Sequence, residues 1–255
     1  MIYLLLLFSV AYASPLETFL QDLPCDIPIR SELPDDIMTI DEPFIYRRGT
    51  SHLKQMQKDL SVFNLLQTNG DAKVGIDYAG TISPPTKLWQ STTLGEYLQE
   101  YVIPLEKMSM EEASASELKY MYLWGPTDPF DKFIPDNVKQ QYECLIEDPT
   151  KIIWGVAGKY TGLAFHHHKV AVLNEIIYGK KLWLMYPEGT KLKTRNLTSM
   201  ELLEMMVNDY MGQSDFEMPQ MCIVEEGDVA YIPFNWVHMS YNIETTTMVG
   251  CVFYP

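Results

Sequence analysis

The second half of the chain is a succession of short runs of β-branched and aromatic residues separated by turn signals. Ile152 to Val156, Val170 to Tyr186, Cys222 to Val224, Val229 to Ile232 and Met239 to Tyr254 all read as strands. The first half mixes short apolar runs with helical patterns. Lys54 to Leu66 places Met56, Leu60, Phe63 and Leu66 near helical spacing, and Asn137 to Ile146 reads as a helix after Pro135. Capping boxes at Thr93-Leu94-Gly95-Glu96 and Thr198-Ser199-Met200-Glu201 open two more helices, the second running through about Met211. Helices followed by many short strands predict a mainly β fold, a jelly roll decorated by N-terminal helices and carrying one inserted helix. Residues 14–130 are then a strand and helix region packing on the barrel, and residues 131–255 the barrel core. Met200, Met205, Met206, Met211, Met218 and Met221 read as adaptable core packing on and after the inserted helix.

The N-terminus reads as an address. Ile2 to Val10 is nearly all apolar and runs into Ala11-Tyr12-Ala13, a small-x-small cleavage pattern, so residues 1–13 are expected to be a secretory signal peptide. No stretch is long enough to span a membrane after cleavage. An endoplasmic reticulum lumen or secreted location follows as an expectation. There Cys25, Cys144, Cys222 and Cys251 become disulfide candidates, with three full pairings open and buried free thiols as the alternative. Asn196-Leu197-Thr198 is a glycosylation sequon, which marks Asn196 as a candidate acceptor. The formal charge of −15 argues against nucleic acid as a partner, because an acidic surface repels phosphate backbones.

Histidines carry the chemistry. Of five in the chain, His166, His167 and His168 are consecutive. Side chains alternate faces along extended backbone, so His166 and His168 point one way and His167 the other. His238 follows a Gly227-Asp228 turn, a strand, Pro233 and Trp236. A jelly roll can bring that distant segment beside the first. Three imidazoles would then face one ion and leave coordination positions open, as in a catalytic rather than a closed structural site. Imidazole suits Fe, Zn, Cu and Ni alike, so ligand type alone does not choose the metal. His52 lacks such a context and reads as an ordinary surface residue.

Three stretches together resemble the JmjC domain family: Phe165-His166-His167-His168, Glu175 to Pro187 with its Tyr178-Gly179-Lys180-Lys181 run, and Gly227 to His238. Pro43 to Gly49 is similar to that family's N-terminal strand, and the resemblance extends to its lumenal, signal-bearing branch. It implies a cupin-like double-stranded β-helix, the fold of Fe(II)- and 2-oxoglutarate-dependent oxygenases. It places the metal ligands on His166, His168 and His238, and a basic residue for the distal carboxylate of 2-oxoglutarate on Lys181. The chain departs from the pattern at His168, where the family has Asp or Glu. Imidazole there raises the charge of the metal site by one unit and removes an anionic donor. Glu175 falls too far beyond His168 to serve as a cupin-type fourth ligand. Leu163 and Val172 stand where some members place polar contacts to the co-substrate. Two functions follow. One is a non-catalytic or weakly catalytic regulatory module that binds a partner protein and keeps Fe(II) or another divalent metal. The other is an Fe(II)/2-oxoglutarate-dependent hydroxylase or demethylase acting on a protein substrate.

Overall fold

A computed structural model describes residues 15–34, 36–78, 90–121, 123–124, 152–192, 197–210 and 217–254. The N-terminal address, the helix expected over residues 137–146, Cys144 and Asn196 lie outside the described residues. The described chain is mixed α and β, with several antiparallel sheets.

Among the described residues, thirteen strands form three sheets. Strands β1 (Ile29–Arg30) and β2 (Phe44–Arg47) precede β3 (Lys73–Tyr78), β4 (Gln90–Thr93), β5 (Lys119–Met121) and β6 (Leu123–Trp124). The strand-rich half supplies β7 (Ile152–Ala157), β8 (Ala171–Tyr178), β9 (Lys181–Tyr186), β10 (Gln220–Val224), β11 (Asp228–Ile232), β12 (Val237–Asn242) and β13 (Thr246–Phe253). The large sheet has the order β1-β2-β11-β8-β13-β7-β6. A second sheet runs β10-β9-β12, and a third β4-β3-β5. Successive strands of the second half pass between the first two sheets. At Gly179 the chain leaves β8 of the large sheet for β9 of the small one. This glycine has φ +84°, and the Thr245 carbonyl occupies the space a Cβ would need, so only glycine fits.

The helices are set by their caps. α1 (Pro15–Gln21) precedes α2 (Lys54–Asp59) and α3 (Val62–Asn69). The single helix expected over Lys54 to Leu66 is thus two. The Ser61 hydroxyl accepts from the Asn64 amide at 3.3 Å and starts the second helix, so the chain breaks at Leu60-Ser61. Both predicted capping boxes are present, at Thr93 ahead of α4 (Leu94–Tyr97) and at Thr198 ahead of α6 (Ser199–Met205). A third, at Ser109, opens α5 (Met110–Ser114).

Strand alternation divides the core in three. Leu173, Ile177, Val229, Tyr231 and Val249 face outward from the large sheet and pack under Met56, Leu60, Leu65, Leu94 and Tyr97 of the N-terminal helices. Leu182, Leu184, Met239 and Tyr241 face outward from the small sheet and pack under Met200, Leu202 and Leu203 of α6. Between the sheets lie Val172, Ile176, Ala230 and Ile232 from one side and Trp183, Met185, Cys222 and Val224 from the other. Burying each such side chain contributes about 1.5–3 kcal/mol relative to leaving it in water. Met200, Met206 and Met221 are buried, in keeping with a packing role.

A disulfide joins Cys25 to Cys222 and so ties the segment before β1 to β10 of the small sheet. Cys251 on β13 is also disulfide-bonded. Among the described residues no helix is long and apolar enough to cross a membrane.

Candidate metal centre

His166 and His238 meet through the backbone. The His166 amide donates to the His238 carbonyl at 3.0 Å, and the His238 amide donates to the His166 carbonyl at 2.8 Å. His166 lies outside the named strands, on an isolated antiparallel bridge to β12. His238 begins the inward face of β12, which continues through Ser240 and Asn242. His168 is held nearby, because its carbonyl accepts from the Asn235 amide at 3.1 Å. The ring centroids are 4.1 Å apart for His166 and His238, 4.7 Å for His168 and His238, and 5.4 Å for His166 and His168. One nitrogen from each of the three lies within 4.8 Å of the others. His167 is exposed, as alternation requires.

All three rings are oriented alike. Nδ1 of His166 lies 2.8 Å from the Ala164 carbonyl, Nδ1 of His168 3.3 Å from the Val170 carbonyl, and Nδ1 of His238 2.9 Å from the Trp236 carbonyl. A carbonyl only accepts, so each Nδ1 carries the proton and donates it. Each Nε2 is left with a lone pair. Backbone carbonyls fixing Nδ1–H is the arrangement that orients metal-ligating histidines. Burial, then the neighbouring histidines, hold His166 down to about 3 and His238 well below its ordinary value. Burial also lowers His168. The rings are therefore neutral at pH 7 and competent as ligands. Three lone pairs converging without a proton between them fit a divalent cation.

Lys181 points into the same inter-sheet space. Along β9, Lys181, Trp183 and Met185 face inward, and Met185 is the register partner of His238. The Trp183 ring stands between the two ends, 6.0 Å from the His238 ring and 5.6 Å from Lys181 Nζ. Lys181 is 1% exposed; its Nζ donates to the Tyr120 hydroxyl at 3.1 Å and lies 3.4 Å from Met248 Sδ. Among the described residues it makes no ion pair. Among the described residues three further buried polar atoms on this face have no partner, the Trp183 Nε1–H, the Asn174 Oδ1 and the Asn242 Oδ1. A buried lysine nitrogen without a counter-charge and a donor without an acceptor suit an anion with oxygens to offer.

Tyr120, Trp183 and Asn174 escaped the sequence analysis. Trp183 was within reach, since it stands two residues beyond Lys181 on one strand and must share its face. Asn174 is a polar residue inside an otherwise apolar run, a signal of a buried group with a task. Nothing near Tyr120 marks it.

His52 is not a surface residue. Its side chain is 9% exposed, and Nε2 lies 2.7 Å from Glu175 Oε1. Arg48 Nη1 reaches the same carboxylate at 3.3 Å. Glu175 is on the outward face of β8, with Leu173 and Ile177, so it faces away from the three histidines. The structure thus keeps it out of the metal centre and gives it a buried ion-pair network instead.

JmjC domain-containing protein 8 of Rattus norvegicus is 28% identical over 194 residues, 73% of this chain and 65% of the relative. The chain is similar to the JmjC domain family. The Mus musculus protein of the same name is 27% identical over 196 residues, with the same shares covered. The chain therefore spans 65% of the length of those two relatives. It is also 24% identical over 127 residues to the 2-oxoglutarate and iron-dependent oxygenase JMJD4 of Gallus gallus, 46% of this chain and 29% of that one. No family model matches the chain.

Proposed function

We propose that this JmjC domain binds Fe(II) or another divalent metal through Nε2 of His166, His168 and His238, takes 2-oxoglutarate or a similar dicarboxylate at Lys181, and serves as a non-catalytic or weakly catalytic regulatory module for a protein partner. The convergence of three like-oriented, neutral imidazoles on one point carries this reading. The passage of the chain between two facing sheets supports a double-stranded β-helix around that point. Neutral nitrogen donors suit divalent iron, zinc and their neighbours. Bound iron supplies the redox chemistry of an oxygenase, with the dicarboxylate as co-substrate. The residues of this chain do the rest: Lys181 meets the far carboxylate, Tyr120 orients the amine, and Trp183 walls the space and offers its N–H. His168 withholds the anionic donor, which is the reason to read catalysis as weak or absent.

The disulfide supports an oxidising compartment. Together with the expected signal peptide it supports a secretory-pathway location for the module, with Asn196 as its proposed glycosylation site.

A second reading, a protein hydroxylase or demethylase, is favoured by the Lys181–Tyr120 pair and by the oxygenase named among the relatives. Decarboxylation of 2-oxoglutarate by the iron-loaded protein separates the two. The regulatory reading expects little turnover from the native sequence and a clear gain in His168→Asp. Robust turnover by the native protein, lost in His168→Asp, overturns it in favour of the oxygenase.

A further inference from the structure

Among the described residues Lys181 is the one buried cation of the inter-sheet space, and its surroundings suit an amine better than an ammonium. An ammonium has three N–H donors to satisfy. The described hydrogen bonds of Lys181 Nζ reach one good acceptor, the Tyr120 hydroxyl, and one weak one, the thioether of Met248, and leave the amide oxygens of Asn174 and Asn242 out of reach. That sulfur is shared, because Asn174 Nδ2 also approaches it at 2.9 Å. A hydroxyl can turn round: it accepts from an ammonium or donates to the lone pair of a neutral amine, so Tyr120 serves either form.

Among the described residues, the packed elements add no counter-charge. β10 presents Val224 and β12 presents Asn242 at the register positions beside Lys181. β5 brings Tyr120, and α4 brings Tyr97, whose hydroxyl donates to the Val156 carbonyl. β8 brings Asn174 inward and turns Glu175 outward to Arg48 and His52. β13 brings Met248. Burial pushes the Lys181 amine down to about 7.

We infer that carboxylate binding at Lys181 is proton-linked: the side chain rests as a neutral amine in the ligand-free protein and captures one proton from solvent as the anion arrives. The site is then a receptor gated by pH, whereas an exposed lysine is a permanently charged clamp. The inference rests on the reading of Lys181 as the carboxylate anchor. It deepens that reading by stating how the site is regulated.

The linkage has a definite sign. Below pH 7 the amine is already protonated and the anion brings no further proton. Above it, each unit of pH weakens binding about tenfold, because the protonated form becomes that much scarcer. Calorimetric titration of 2-oxoglutarate, and separately of glutarate, into the manganese-loaded protein tests this. It is run at pH 6 and pH 8 in two buffers of different ionisation heat. The expected result is close to one proton taken up per anion at pH 8, almost none at pH 6, and affinity about tenfold weaker at pH 8. Lys181→Arg keeps its charge and is expected to bind without that uptake. Binding with no proton uptake and no pH dependence overturns the linkage while the carboxylate reading stands. No binding of either anion overturns both. The resting state is read independently from the Lys181 13Cε resonance, assigned by its loss in Lys181→Met: titration near pH 7 supports the neutral amine, and titration near pH 10 overturns it.

Discussion

His166 and His238, from opposite ends of the strand-rich half, form a reciprocal backbone pair with hydrogen bonds of 3.0 and 2.8 Å. The pair sets the two rings side by side, with centroids 4.1 Å apart. His168, two residues along, completes the constellation. The centre thus depends on pairing between distant segments, so its geometry is as stable as the sheets themselves.

Acid should loosen this centre. The folded protein holds His166 down to about 3 and lowers His168 and His238, whereas an unfolded histidine titrates near 6.5. The unfolded chain therefore binds protons first as pH falls below 6.5. The stability linked to the three rings is fully present above 6.5 and is lost as pH falls toward 3. Thermal denaturation between pH 7 and pH 5.5 should show a falling midpoint, with a shallower fall in His166→Asn. An equal slope in both proteins contradicts this.

Lys181 works in the same sense, over a higher pH window. Its folded value of about 7 lies below the ordinary lysine value of 10.5, so the unfolded chain binds more protons between the two. The burial penalty is complete below pH 7 and fades as pH rises to 10.5. Ligand-free Lys181→Met should be more stable than the native protein at pH 6, on the order of a few kcal/mol, and the advantage should shrink by pH 9. Denaturant titrations at the two pH values measure it.

Glu175 should matter for folding and be irrelevant to metal. Glu175→Ala leaves Arg48 and His52 around an empty position, and breaking a buried charged network from one side costs about 3–5 kcal/mol. Metal bound per folded molecule should not change. A loss of metal without a loss of stability would show that the carboxylate reaches the centre after all.

The Cys25–Cys222 bridge closes a loop of sequence separation 197. Chain-entropy reasoning gives such a crosslink about 3–5 kcal/mol. Cys25→Ser with Cys222→Ser should lower the unfolding midpoint accordingly, read by denaturant titration without reductant. A shift under 1 kcal/mol contradicts a structural role for the bridge.

The legible features of the sequence were those written in local pattern. Strand runs, capping boxes and His-x-His alternation each depend on neighbours within a few residues, and each is found where expected. His238 was reached as a lone histidine after a turn, a strand and a proline, and Lys181 through a stretch resembling a family. Features that depend on long-range pairing were hidden. His52 looks solitary in sequence because its partner Glu175 comes from another element, across the outer face of the large sheet. Tyr120 sits on a three-residue strand with no motif, and only the sheet packing brings its hydroxyl to Lys181. Ser61 shows a third case, in which a capping hydroxyl inside an apolar periodicity splits one helix into two.

The central claim is that three neutral imidazoles hold one divalent ion. Its most direct test is the metal content of the purified mature protein after equilibration with iron(II) or zinc(II), set beside His238→Ala. The prediction is one ion per native chain, and almost none in the variant, whose circular dichroism should remain that of a folded domain. Equal metal in both proteins, or none in either, would contradict it.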